Sequence, residues 1–168
     1  MQTESARMSS AKEARFRIDA PNSLPRATKV IALDAPSERV VKRLAAGRWN
    51  GAAFLTAKAF GPAPGGNDTL TGWLSDLAGR TKSLMDEVNS ADLVVMVATA
   101  GENVPAASLI GEACSLRRVM TTALIAGAAG QPDDVLAKTL AQLRPWALML
   151  VIANSDEYIE DMLRALRA

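Results

Sequence analysis

The chain has 168 residues, is 49 % hydrophobic and 22 % charged, and carries 19 Lys and Arg against 18 Asp and Glu for a net charge of +1. That length suits one domain burying about 70 % of its unfolded surface, and the charge balance removes any global case for nucleic-acid or membrane partners. The absence of histidine excludes Ser-His-Asp and Cys-His catalysis and histidine-ligated zinc, and a single cysteine excludes an internal disulfide and a Cys-rich metal site.

No apolar run approaches the roughly 18 to 20 residues needed to span a bilayer, and residues 1–20 lack the apolar centre of a secretory signal. A cytoplasmic setting is expected. Residues 1–26 read as a flexible tail, with Lys12, Arg15, Arg17 and Arg26 among small polar residues and with Pro21 and Pro25 against a helix. Residues 27–168 read as a single α/β domain.

Its first strand is Thr28-Lys-Val-Ile-Ala-Leu-Asp34. Pro36 and Ser37 open a helix through Ala46, closed by Gly47, with Val40, Val41 and Leu44 on one face. Ala52–Ala57 is a second strand, completing a βαβ unit with a right-handed crossover. Residues 60–69 hold Gly61, Pro62, Pro64, Gly65 and Gly66 and must be a loop. Residues 70–77 fit either a helix, on the spacing of Leu70, Trp73, Leu74 and Leu77, or a short edge strand. A helix over 81–88 buries Leu84, Met85 and Val88.

The third strand, Ala91–Ala98, leads through Thr99, Gly101, Glu102 and Asn103 into a helix over 105–116 with Ala106, Leu109, Ile110 and Ala113 inward. Residues 119–126 form the fourth strand. The next helix begins near Asp133 and Asp134, which suit its positive end, and buries Val135, Leu136, Leu140 and Leu143. Residues 146–153 form the fifth strand, and a last helix carries a stripe of Ile159, Met162, Leu163 and Leu166. The later strands are continuous apolar runs, as strands covered on both faces are. The expected fold is a three-layer α/β/α sandwich around a mostly parallel, doubly wound, Rossmann-like sheet of about five strands.

In such sheets ligands bind beyond the carboxyl ends of the strands, where strand order reverses. The candidate ligand-binding residues are therefore Asp34, Ser37, Thr99, Gly101, Glu102, Asn103 and Gly127. Thr56, Lys58, Gln131, Asn154, Ser155 and Asp156 also fall at that edge. Most have plainer roles. Asp34 with Ser37 can cap the first helix, and Asn154 to Asp156 the last. Cys114 sits on the Ile110 face as a packed thiol, Trp49 and Trp73 read as packing, and the last helix's stripe faces the sheet unless it forms a homodimer. Glu102 and Asn103 are needed for no core.

Neither G-x-x-x-x-G-K-[ST] nor G-x-G-x-x-G follows a strand. Pro36 removes a donor from the first helix start, and Glu102 would repel a phosphate from the third-strand corner. Any ligand there is expected to be neutral or cationic, or to approach from the Asn103 side, and no cofactor is expected.

The pieces Val30-Ile-Ala-Leu, Arg48-Trp-Asn-Gly-Ala-Ala-Phe-Leu-Thr-Ala57, Ala91-Asp-Leu-Val-Val-Met-Val-Ala-Thr-Ala-Gly101 and Arg118-Val-Met-Thr-Thr-Ala-Leu-Ile-Ala126 resemble, in order, segments of the GTP-binding domain of FtsZ, the bacterial tubulin relative. The similarity covers about residues 28–127. Asp34-Ala-Pro-Ser37 and Gly101–Ser108 stand where that family has glycine-rich nucleotide loops, and the family's second domain has no room. The resemblance implies a degenerate, trimmed relative that keeps the scaffold without the GTPase chemistry.

The leading expectation is a non-catalytic module binding a small ligand or a protein. The alternative is a small enzyme using Asp34, Lys58 or Glu102 as acid, base or charge stabiliser.

Overall fold

The computed structural model describes residues 25–57 and 72–168. The chain runs β1 (Thr28–Ala32), α1 (Ala35–Ala45), β2 (Ala52–Thr56), β3 (Trp73–Asp76), β4 (Thr81–Ser83), α2 (Leu84–Asn89), β5 (Leu93–Thr99), α3 (Ala106–Arg117), β6 (Met120–Ala126), α4 (Asp133–Leu143), a 3-10 turn (Arg144–Trp146), β7 (Met149–Ile152) and α5 (Asp156–Ala165). The tail expected over 1–26, the loop over 60–69 and Lys58 lie wholly or almost wholly outside the described residues. Arg26, at the tail's end, donates its N–H to the Arg167 carbonyl at 3.0 Å.

The strands form one mixed sheet in the order β4-β3-β2-β1-β5-β6-β7. From β2 to β7 neighbours are parallel, with Val30 level with Phe54 on one side and Val95 on the other. The sheet thus has seven strands and not about five, because β3 and β4 add an antiparallel hairpin beyond β2.

Local turn chemistry decides that hairpin against the helical spacing of Leu70 to Leu77. Asp76 Oδ1 accepts the N–H groups of Ala78 (3.0 Å) and Arg80 (2.9 Å), while Oδ2 takes the Arg80 Nε–H at 2.6 Å. The Arg80 N–H holds the Asp76 carboxyl below its usual range, and Gly79 supplies the positive φ of +81° that the turn needs. Leu74 then enters the core on one face of the sheet and Leu77 packs against the other. The helix expected from Thr81 begins only at Leu84, because Thr81–Ser83 are spent on β4 and Ser83 is the N-cap of α2.

Helices cover both faces, giving three layers. On one face Ile31, Leu55, Val94, Met96 and Ile125 meet Leu84 and Val88 of α2, Ile110 and Ala113 of α3, and Leu143 of α4. On the other Val30, Ala32, Val95, Val97 and Leu124 meet Val41 and Leu44 of α1 and Ile159 and Leu163 of α5. The α5 stripe therefore faces the sheet and is not free to make a dimer. Trp49 is packing too: its indole N–H donates to the Leu44 carbonyl (2.7 Å), its ring meets Phe54, and Arg164 lies over it.

Burial departs from expectation in two places. In α4 the buried residues are Thr139 and Leu143, while Val135, Leu136 and Leu140 are only half-buried. The fifth parallel strand is shorter than 146–153, since Arg144–Trp146 make a 3-10 turn. Nor is it covered on both faces: Met149 and Ile152 are exposed. No helix among the described residues is long and apolar enough to cross a membrane.

Cys114 is fully buried among α3 and its neighbours, and desolvation pushes its thiol from 9.0 up to about 12. Below pH 9 the thiol is protonated folded or unfolded. Between about 9 and 12 only the unfolded chain releases the proton, so stability falls as pH rises. Cys114→Ala should show a shallower loss than the wild type over that window in urea melts. Native protein at pH 8 should react with a thiol reagent only as fast as it unfolds.

Candidate functional site

β1 feeds α1 on one face of the sheet, and β5 feeds α3 on the other. Strand order reverses between these two neighbours, so their carboxyl ends flank the crevice where such sheets take ligands. Asp34 ends the first unit and Thr99 the second.

Asp34 joins the two. Its Oδ1 accepts the Ser37 N–H at 2.7 Å and the Thr99 hydroxyl at 2.9 Å, and its Oδ2 accepts the Thr99 N–H at 2.8 Å. Ser37 returns the cap, its hydroxyl accepting the Asp34 N–H at 3.1 Å and donating to the Asp34 carbonyl at 3.0 Å. This is a capping box closed by Ser37 where a longer acid is usual. Both residues are buried, with Asp34 only 7 % exposed. The carboxylate is a clamp holding β1, α1 and β5 in register.

The same bonds close the α1 start to anions. Ser37 N–H is taken by Asp34, Glu38 N–H by the Asp34 carbonyl (3.0 Å), and Pro36 has none. Ala35 is left as one donor where a phosphate cradle needs several.

The loop after β5 is equally committed. Gly101 donates its N–H to Thr139 Oγ1 and Val104 to Gln142 Oε1, both at 2.9 Å, while the Glu102 N–H goes to the Thr99 carbonyl at 3.1 Å. Gly101 has φ +92°, and an added Cβ would stand 3.0 Å from Val135 Cγ1. Its role is close docking on α4. Thr139 is the buried polar residue in the α4 stripe, and it is there to anchor this loop.

Glu102 and Asn103 point elsewhere. Both are exposed, and among the described residues neither side chain has a hydrogen-bond or ion-pair partner. With Leu33, Asp34, Ala35, Ala57, Pro105 and Ala106 they line a cavity of about 260 Å³. Gly127 (φ +66°) lies at the end of the neighbouring strand, where a Cβ would meet the Thr99 methyl at 3.6 Å.

The candidate residues thus divide. Asp34, Ser37 and Thr99 form one bonded cluster, Glu102 and Asn103 face the cavity beside it, and Gly101 and Gly127 shape the backbone around them. Asn154 to Asp156 do not join: Ser155 caps α5, and Asp156 pairs with Arg43 of α1. The anchors Thr139 and Gln142 are not among the expected site residues, although a threonine amid Val135, Leu136 and Leu143 at helical spacing is a visible signal. No three of His, Cys, Asp and Glu come together as a metal site among the described residues.

Fold and site together define an α/β protein with a small acidic and amide-lined crevice at the reversal of its strand order. The chain matches no protein-family model and no curated protein sequence.

Proposed function

We propose that this chain is a non-catalytic binding module on a doubly wound, Rossmann-like scaffold, taking a small cationic or neutral polar ligand at the crevice between β1 and β5. The carrying observation is that Glu102 and Asn103 have no partner among the described residues while the neighbouring Gly101, Glu102 and Val104 N–H groups are all used. A carboxylate and a primary amide, with these three corner N–H groups already spent, suit an ammonium or amide group and repel a phosphate. The cavity is about 260 Å³, below the roughly 300–1,000 Å³ of drug-sized sites. An amine or amino acid is of the right size.

The resemblance to FtsZ belongs to the same proposal: a trimmed relative of that nucleotide-binding domain whose glycine loops have been replaced. The loss of donors to Pro36 and to the internal bonds of the β5 corner supports only the absence of GTPase chemistry in it. Against the carboxylate-enzyme alternative, both Asp34 oxygens are already engaged by Ser37 and Thr99.

A thermal-shift screen of amines, amino acids and nucleotides tests the reading. Amines should raise the melting temperature and nucleoside triphosphates should not; the reverse result refutes it. Flat curves throughout would leave a protein partner. Glu102→Gln should weaken a cationic ligand by about tenfold or more. Its effect on stability should stay within about 0.5 kcal/mol, because Glu102 is an exposed residue.

A further inference from the structure

The two edges of the sheet are built differently. β4, at one end, is three residues long and reads Thr81-Lys82-Ser83, a short charged strand of the kind that discourages pairing. β7, at the other, lies within Trp146-Ala-Leu-Met-Leu-Val-Ile-Ala153, which has no charge, no interior proline and no glycine. Among the described strands β7 pairs only with β6, so its outer N–H and C=O groups face outward.

Four of the six exposed large apolar residues among the described residues lie at this edge. Leu148 is 80 % exposed, Met149 and Ile152 lie on β7 itself, and Met120 begins the neighbouring β6. The charges around it are polar along the strand. Arg117, Arg118 and Arg144 stand where β6 and β7 begin, and Asp133, Asp134 and Glu157 where they end; all six are exposed.

We propose that β7 is a homodimer edge, pairing antiparallel with β7 of a second copy to continue the sheet across a two-fold axis. Antiparallel pairing puts the basic end of each copy against the acidic end of the other, where a parallel arrangement would set like charges together. Residues directly opposite must point to the same face. A register centred on Leu150 satisfies this, with Leu148 opposite Ile152 and Met149 opposite Val151. The exposed apolar side chains then cover one another, and an isologous contact closes at two copies.

Sedimentation velocity on the full chain at tens of micromolar should give twice the 17.8 kDa chain mass. Leu148→Lys and Ile152→Lys, both at exposed positions, should each give a monomer that melts within a few degrees of the wild type. Arg144→Glu should raise the dimer dissociation constant by about threefold or more, since it sets acid against acid. A monomeric wild type overturns the proposal, as does a dimer that survives both folded lysine variants. Tighter association of Arg144→Glu would overturn the antiparallel arrangement.

Discussion

Asp34→Ala should destabilise the fold by about 3–5 kcal/mol, the largest effect expected of any polar substitution at the strand ends. Three hydrogen bonds to a carboxylate are lost, each contributing roughly 1.5–3 kcal/mol where the acceptor is charged. The α1 cap goes too, for about another 1 kcal/mol. These terms overlap, because one carboxylate makes all the bonds. The residual cost comes from Thr99, whose N–H and hydroxyl lose their acceptor in a part-buried site. For a domain of this size the melting temperature should fall by about 10 °C. Ser37→Ala removes only the returning half of the capping box and should cost about 1 kcal/mol. If calorimetry found the two variants equally mild, Asp34 would be a plain cap and the clamp between β1 and β5 would not exist.

Gly111→Val should cost about 3 kcal/mol or more, against the direction of helix propensity. A glycine inside α3 is a poor helix former, and replacing it in an open helix would gain several tenths of a kcal/mol. Here an added Cβ would overlap Trp146 Cβ, and would stand 2.9 Å from its Cγ and 3.0 Å from its Cε3. The overlapped atom is a Cβ, fixed by its backbone, so a rotamer change cannot relieve it. The 3-10 turn before β7 would have to move, and overpacking of this kind costs about 1–3 kcal/mol before the extra valine methyls are counted. Urea melts of Gly111→Ala, Trp146→Ala and the double variant measure this contact. Trp146→Ala should be somewhat less damaging in the Gly111→Ala background, since it removes the ring contacts at Cγ and Cε3 while keeping the overlapped Cβ. Strict additivity of the two would mean that the helix and the turn do not touch this closely.

Asp34 and Gly111 differ in how far local sequence explains them. Asp34 with Ser37 three positions later is legible as a helix start, and the alternation of strands and helices places Thr99 on the same edge. That the carboxylate bonds Thr99, 65 positions away, depends on β1 lying beside β5. No local pattern carries that adjacency. Gly111 reads as an ordinary helical position, and its reason for being glycine is a tryptophan 35 residues on.

The parallel elements are legible because fully buried strands and amphipathic helices announce themselves by period and composition. Leu93 to Ala98 is buried throughout. The hairpin of β3 and β4 is only half legible, residues 70–77 fitting either a helix or an edge strand, because each strand is too short to show a period and the Asp76 turn that outweighs the leucine spacing is a local detail. β7 misleads in the opposite sense. Its apolar run looks like a covered central strand, but composition alone does not say which strand ends the sheet.

Residue types and local periodicity are enough to fix the class of fold, which residues fall at the carboxyl ends of the parallel strands, and the exclusion of histidine chemistry. The assembled fold is needed to make Asp34 a clamp, to commit the N–H groups of the β5 corner to Thr139, Gln142 and the Thr99 carbonyl, and to turn Glu102 and Asn103 toward the cavity. The physical reason is that hydrogen-bond satisfaction is settled between elements distant in the chain, and a donor's availability is known only once its partners are in place.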